Sequence, residues 1–428
     1  MRQLLLYVVC ASLAFGCTRE DAGDGHAVAA GADAVSDAPV FQEPVLTWDQ
    51  LALGCAPMGE GTAAHIMCNH GHSISLHNEN LYERFLFLKD HGIAQPNETE
   101  LMGHGMTGSA MLPEPLTPIL RARLGEKVRI RLISYGGTQF HTFHVHGHLW
   151  PDDGTLKDTQ TLGPAEVYDK AEFYAGGYSD KPDERAGVGD WMYHCHVEVH
   201  AMTGMWGLFR VLEKNGTELL SADGRFPHEV PLPIGETGTT TDVYVIAAEV
   251  PLTVARVYAP ATQKLDSLQR LARIYVPMAD EKSFLAATDA SINKQMEPLA
   301  ETWNPWILSL KLGAKVRVHL RNLMPDSPVT LHPHGVLYKN GEDGTAPEDV
   351  AQPKGKPVVM EWQADTPGTW PLHDHARAIE NIGRGLFAAI VVKSPEDVQK
   401  LTRDYLIFFH DYDMDWMMGS DQPTGSGH

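Results

Sequence analysis

Gly189-Asp190-Trp191-Met192-Tyr193-His194-Cys195-His196 and Gly368-Thr369-Trp370-Pro371-Leu372-His373-Asp374-His375 are one unit written twice. Each opens on Gly, carries Trp three residues before its first His, and closes on His-x-His. The repeat extends upstream. Gly125–Leu132 and Gly313–Leu320 both alternate apolar and charged residues, the period of a strand buried on one face. Nineteen residues after each of those glycines the chain reaches His144-Val145-His146-Gly147 or His332-Pro333-His334-Gly335. Both copies then run on to Gly-Leu-Phe, at Gly207–Phe209 and Gly385–Phe387. Short repeated strands with turn signals between them predict an all-β fold, two β-sandwich domains in tandem over 41–215 and 241–398. The polar, Gly- and Pro-bearing 216–240 reads as a linker, and 399–428 as a C-terminal strand and tail. Only Gln263–Ala272 reads as helical.

The chain has 428 residues, room for two to four domains at roughly 100–200 residues each. With Lys+Arg at 34 and Asp+Glu at 55, the net charge is −21. Phosphate-backbone binding needs a cationic face, so no nucleic-acid partner is expected. No apolar run approaches the roughly 20 residues of a spanning helix. The 39 Gly and 28 Pro suit a turn-rich β protein.

Side-chain parity sorts the histidines. Residues i and i+2 of a strand share a face, so His144 and His146 project together, as do His194 and His196. Cys195 then projects the other way. So does His141, at an odd offset of three from His144. His200 follows Cys195 by five residues and Met205 follows it by ten. Two imidazoles, a thiolate and a weak thioether are the donor set of a blue-copper electron-transfer site. The second copy keeps His332, His334, His373 and His375. It matches Cys195 by Asp374, His141 by Val329, His200 by Ile379 and Met205 by the neighbourhood of Arg384. It can therefore offer four same-face imidazoles but no blue-copper set. Zinc, which favours closed four-coordinate sites, does not need eight.

The segments HTFHVHGH, HCHVEVHAMTGM, LHPHG and PLHDH resemble the four copper motifs of multicopper oxidases, the laccase-like family of cupredoxin repeats. The resemblance covers most of 110–210 and 305–395. It implies two cupredoxin-like Greek-key sandwiches and four coppers per chain. A type 1 copper would lie on His141, Cys195, His200 and Met205, and a type 2 copper on His144 and His332. A type 3 pair would lie on His146, His194, His196, His334, His373 and His375. Three-domain laccases place the Cys motif last, whereas here it comes first. That order resembles two-domain oxidases, whose trinuclear cluster forms between domain one of one chain and domain two of its neighbour in a homotrimer. The implied reaction couples one-electron oxidation of a reductant to reduction of O2 to water. Asp343, nine residues after His334, stands where the family often keeps an acid and is a candidate proton relay. Glu342-Asp343-Gly344 is equally good turn chemistry. Glu198 is a second candidate.

The amino terminus reads as an export signal: Arg2, then the apolar run Leu4–Phe15. Leu13-Ala14-Phe15-Gly16-Cys17 resembles a bacterial lipoprotein cleavage box, with lipid on Cys17; an ordinary signal peptide over 1–17 is the alternative. With Thr18 rather than Asp next, analogy favours an outer-membrane anchor or a periplasmic location. Residues 18–40 read as a flexible tether. Cys55 and Cys68 either pair as a disulfide or stay as thiols. His65, Cys68, His70 and His72 form a further cluster that reads as a loop or an accessory metal site. Asp411–Met418 mixes carboxylates and thioethers and reads as a terminal strand with an acidic tail, or as a site for a metal-ion substrate. His146 and His194 are 48 residues apart, against 39 between His334 and His373, and the extra loop is expected to shape substrate access.

Two rival functions remain at the level of sequence. A copper nitrite reductase shares two cupredoxin domains but needs only three His at its catalytic copper. A copper-sequestering lipoprotein has no need of a cysteine bridging two ligand sets. The reductant, a phenol or a cuprous, ferrous or manganous ion, is left open; the acidic balance favours attraction of cations.

Overall fold

The computed structural model describes residues 72–94, 96, 100–101, 111–135, 139–177, 187–216, 220–221, 224–413 and 416. The signal, the tether, His65, Cys68, His70 and the Cys55/Cys68 pair lie outside them. The strands of the first half are β1 (His72–Ile74), β2 (Ile119–Arg123), β3 (Lys127–Tyr135), β4 (His141–Val145), β5 (Trp150–Asp152), β6 (Thr155–Lys157), β7 (Thr159–Leu162), β8 (Val167–Tyr174), β9 (Gly189–Cys195) and β10 (Trp206–Leu212). The second half adds β11 (Thr240–Ala259), β12 (Lys264–Met278), β13 (Ile307–Lys311), β14 (Lys315–Asn322), β15 (His332–Pro333), β16 (Val358–Gln363), β17 (Gly368–His373), β18 (Phe387–Lys393) and β19 (Arg403–Asp411).

These strands build two sandwiches of cupredoxin type. The first packs the sheet β1-β19-β3-β8 on β2-β10-β9-β4-β7, and the second packs β12-β11-β14-β16 on β13-β18-β17-β15. Alternation does what periodicity predicts: Val128, Ile130 and Leu132 of β3 meet Phe143, Val145, Tyr193 and Phe209 of the facing sheet in one core. Val316, Val318 and Leu320 of β14 meet Leu372, Ile390 and Val392 in the other.

The repeat is visible in the pairing, and it is exchanged between the halves. β11 follows the first sandwich in sequence yet lies parallel to β14 of the second. β19 follows the second sandwich yet lies parallel to β3 of the first, with Tyr405 opposite Ile130. Each sandwich thus receives the strand that follows the other. Both exchanged strands are buried on two faces, which is why they read as near-continuous apolar runs. Tyr405, Ile407 and Phe409 fill the first core. Leu406 and Phe408 join Ile246, Ala248, Phe387 and Ala389 in a third cluster between the sandwiches. Residues of the 216–240 segment are laid along these edges: Val230 N–H donates to Asp404 O at 2.8 Å and Ile234 N–H to Ser309 O at 2.9 Å.

Gln263–Ala272 is not helical. Leu265, Leu268 and Leu271 fall at helical spacing, but the chain turns at Thr262–Gln263 and 264–278 runs back along β11, Leu268 opposite Ala255 and Ile274 opposite Ala248. A long antiparallel ladder outweighs local propensity. Helices form elsewhere, where side-chain caps satisfy their first N–H groups. Asp280 with Ser283 caps Glu281–Ala286, Thr288 with Ser291 caps Asp289–Met296, and Ser394 with Asp397 caps Pro395–Lys400. Among the described residues no helix is long and apolar enough to cross a membrane.

Candidate metal centre

β4 and β9 pair antiparallel, with Phe143 opposite Cys195 and His144 opposite His194. Parity then divides the histidines as the sequence requires. His141 and Cys195 point into the core, both fully buried, while His144 and His194 are half-buried on the outer face.

On the inner side, His141, Cys195 and His200 bring their ligand atoms within 4.8 Å of one another. Cys195 Sγ lies 3.9 Å from His141 Nδ1 and 3.6 Å from His200 Nδ1. These separations match two ligands of one ion. Metal–nitrogen bonds of about 2.0 Å and a metal–sulfur bond of about 2.3 Å in a trigonal plane put N and S roughly 3.7 Å apart. Thr142 N–H donates to the sulfur at 3.3 Å. Met205 is fully buried, its N–H bonded to His200 O at 2.9 Å and its carbonyl to Cys195 N at 3.0 Å, which folds the ligand loop back on itself. His200 Nε2 contacts Gln139 Oε1 at 2.8 Å. Burial opposes charge on His141, but Asp411 and Cys195 beside it lift its pKa to about 9. Binding a cation there displaces that proton.

On the outer side, His144, His146 and His194 group their ligand atoms within 4.8 Å, and so do His332, His334 and His373. His196 lies against His144 and His194 with ring centroids 5.3 and 5.5 Å away. His375 lies against His332 at 5.1 Å. The two sets repeat each other bond for bond. His146 Nε2 faces His194 Nε2 at 3.2 Å, and His334 Nε2 faces His373 Nε2 at 3.2 Å. His194 Nδ1 donates to Cys195 O at 2.9 Å and His373 Nδ1 to Asp374 O at 2.8 Å. His144 Nδ1 donates to Asp158 O at 2.8 Å and His332 Nδ1 to Asp343 O. With Nδ1 donating to a carbonyl, each Nε2 keeps a free lone pair aimed at its neighbours, the tautomer a metal ligand needs. Burial first, and neighbouring imidazoles after it, lower His194 and His373 to about 4 and depress His146 and His334. All four stay neutral donors at physiological pH. Among the described residues no hydrogen bond or ring contact joins one set to the other. Imidazole sets of this kind, beside a thiolate site, fit copper.

The thiolate slot of the second copy is filled rather than empty. Asp374 stands in place of Cys195, fully buried, and accepts from Thr330 N at 2.8 Å as Cys195 does from Thr142 N. Arg377 N and Asn381 Nδ2 complete its hydrogen bonds at 2.8 and 2.9 Å. Val329, which is buried, and Ile379, which is exposed, carry no donor atom, so neither supplies a ligand.

Asp343 meets His332 through its backbone carbonyl; its carboxylate accepts from Thr345 N–H and Oγ1 instead, contacts that hold its pKa below the usual range. Glu198 opens the helix Glu198–Met202, and its side chain lies outside the described residues. His148, in the first motif, is structural: its ring bonds His146 O at 2.7 Å and Gly176 N at 3.0 Å. Tyr135 carries no sequence signal of its place near the sites, and His72 and Asp411, noted in the sequence within other clusters, prove to lie beside the inner site. Tyr135 Oη donates to Ala388 O at 2.7 Å and accepts from Leu372 N at 2.9 Å, pinning the strand that carries His373. His72 and Asp411 reach the inner site from β1 and β19. Their approach depends on pairings across most of the chain, which leave no local signal.

Comparison with known proteins accords with this geometry. A family model described as multicopper oxidase matches residues 292–397, and a second of the same description matches 182–215. A probable nitrite reductase–hydroxylamine oxidoreductase fusion protein from Kuenenia stuttgartiensis is 41% identical over 95 residues, covering 22% of this chain and 10% of that protein. Hephaestin from Homo sapiens is 26% identical over 147 residues, covering 28% of this chain and 13% of hephaestin. The chain thus spans about a tenth of the length of the curated relatives it matches. A blue copper oxidase structure from Nitrosomonas europaea aligns with 66% of this chain and 77% of its own at 19% identity and a TM-score of 0.19. The two matched segments contain Cys195, His200, Met205 and six of the eight outer histidines, and over them the chain is similar to the multicopper oxidase family.

Proposed function

We propose that this chain is a two-domain oxidase. It would take single electrons from a phenolic or metal-ion reductant and reduce O2 to two waters with four electrons and four protons. His141, Cys195, His200 and Met205 would hold a type 1 copper, and His144 and His332 a type 2 copper. His146, His194, His196, His334, His373 and His375 would hold a type 3 pair, making four coppers per chain. Bound copper supplies one-electron exchange at the inner site and dioxygen chemistry at the outer one.

The observation that carries this reading is the position of Cys195. Its sulfur lies between the inner imidazoles while its two chain neighbours, His194 and His196, join the outer set. The covalent path between thiolate and outer imidazoles is therefore one residue long. The inner pocket is buried, which keeps water from the thiolate and holds its ligands in one geometry.

Four imidazoles on each sandwich are half of a trinuclear set. A first half from one chain and a second half from its neighbour complete it, and a head-to-tail contact of that kind repeats until a ring closes, here a homotrimer. Leu156, two residues from Asp158, and Leu337 and Tyr338, just past His334, are exposed apolar side chains close in sequence to the two half-sets. Asp343, and Glu198 second, would pass protons to the cluster. The reading includes export, with the chain periplasmic or held to an outer membrane by lipid on Cys17.

Copper analysis with oxygen uptake tests it. Four coppers per chain, and O2 consumption driven by a phenol or by ferrous, cuprous or manganous ion, are expected. Two coppers per chain with turnover of nitrite instead would favour a nitrite reductase, the reading suggested by the name of the 41% identical relative. Copper binding with no oxygen uptake would favour sequestration.

A further inference from the structure

β1 and β19 bring two polar side chains to the rim of the inner site. His72 and Asp411 are cross-strand partners. His72 Nδ1 donates to Asp411 Oδ1 at 2.7 Å, and the same oxygen lies 3.5 Å from His141 Nε2. That nitrogen is buried and makes no hydrogen bond among the described residues, while His141 Nδ1 faces the sulfur. The His72 ring lies over the His200 ring, centroids 3.9 Å apart and planes 37° from parallel. The rings of His72, His141 and His200 are all within 3% of full burial.

An imidazole that binds metal through Nδ1 keeps its proton on Nε2, and that proton needs an acceptor to fix the ring. We propose that Asp411 is a positioning residue for the blue-copper ligands, fixing His141 directly and His200 through His72, and that its charge lowers the reduction potential of the site. The inference rests on the type 1 reading of His141, Cys195, His200 and Met205. Its physical basis is local. A carboxylate in a low-dielectric pocket favours the more positive, oxidised ion over the reduced one. His72 holds that carboxylate in place and presents a ring face to the second ligand. The device arrives on the exchanged strand β19, so a strand that follows the second sandwich tunes a site built from the first half.

The test uses full-length, copper-loaded protein and reads copper affinity and the redox titration of the blue absorption band, not turnover. Asp411→Asn is expected to weaken copper at this site by roughly 10–100-fold and to raise its potential. Asp411→Glu restores part of both. His72→Phe keeps a ring over His200 but removes the donor to Asp411, and gives a smaller rise in potential. A wild-type protein with copper but no blue band overturns the type 1 reading and this inference with it. A blue wild type whose Asp411→Asn form keeps the same affinity and potential overturns the inference alone. If Asp411→Asn does not fold, unchanged potentials in both Asp411→Glu and His72→Phe overturn it.

Discussion

The indole of Trp370 lies against Gly335 so closely that a Cβ built there would fall 1.9 Å from the ring. Trp191 crowds Gly147 in the same way, at 2.2 Å. Both glycines sit at positive φ, 65° and 70°, just past a His-x-His pair, and both tryptophans stand three residues before the other pair. The Gly–Trp contact therefore fixes the distance between the two histidine motifs of each half-set. Gly335→Ala meets both the ring and an unfavourable φ. Crowding costs about 1–3 kcal/mol, and the backbone adds about 1 kcal/mol. Thermal unfolding of the copper-free protein should show the loss, and copper bound per chain should fall below the wild-type count. Unchanged stability would mean that the ring swings aside without cost.

Inner and outer sites should separate by mutation. Cys195→Ser removes the sulfur donor and is expected to abolish the blue colour and the oxidation of substrate, with the fold retained by circular dichroism. Retained turnover would mean that electrons enter elsewhere. His332→Ala leaves Cys195, His141 and His200 untouched, so the blue colour should persist while oxygen uptake is lost. Unchanged uptake would count against a role for the second sandwich in the cluster.

Much of this arrangement is legible in the residues because it is local. Strand parity separates Cys195 from His194 and His196, and equal spacings reveal the second copy. What escaped is long-range. Asp411 sits beside His141 only because 403–411 pairs with 127–135, some 275 residues earlier, and parallel pairing at that distance has no signature in either segment. Asp343 stands out in the sequence as an acid, whereas the use of its carbonyl, which every residue has, to orient His332 leaves no trace there. Leu265, Leu268 and Leu271 imitate a helical stripe because this end of β12 runs past the buried sheet, where alternation is not enforced.

The exchanged strand makes a stability prediction. Phe408 is fully buried between the sandwiches, its ring 5.6 Å from Phe387 and 6.2 Å from Tyr135. Although it lies near the end of the chain, Phe408→Ala should destabilise by about 3–5 kcal/mol, as for a central core position. Denaturant unfolding checks this. A cost under about 1 kcal/mol would show that β19 contributes little to the joint.

Burial places a second lever at the brace between Leu81–Asp90 and β11. Glu83 is 1% exposed and accepts from Tyr258 N–H at 2.7 Å. Desolvation raises its pKa from 4.5 to about 7, against the lowering effect of that hydrogen bond. A carboxyl whose folded pKa is raised is stabilising relative to its ionised form only while protonated. Its contribution is therefore complete below pH 4.5 and is lost as pH rises to about 7. At about 1.4 kcal/mol per pKa unit, the loss is about 3 kcal/mol. Glu83→Gln keeps an acceptor for Tyr258 and cannot ionise. It should match the wild type near pH 4 and exceed it by up to that amount at pH 8, measured by thermal or denaturant unfolding at both values. A difference that is the same at both pH values would mean that Glu83 titrates normally and that the brace is solvated.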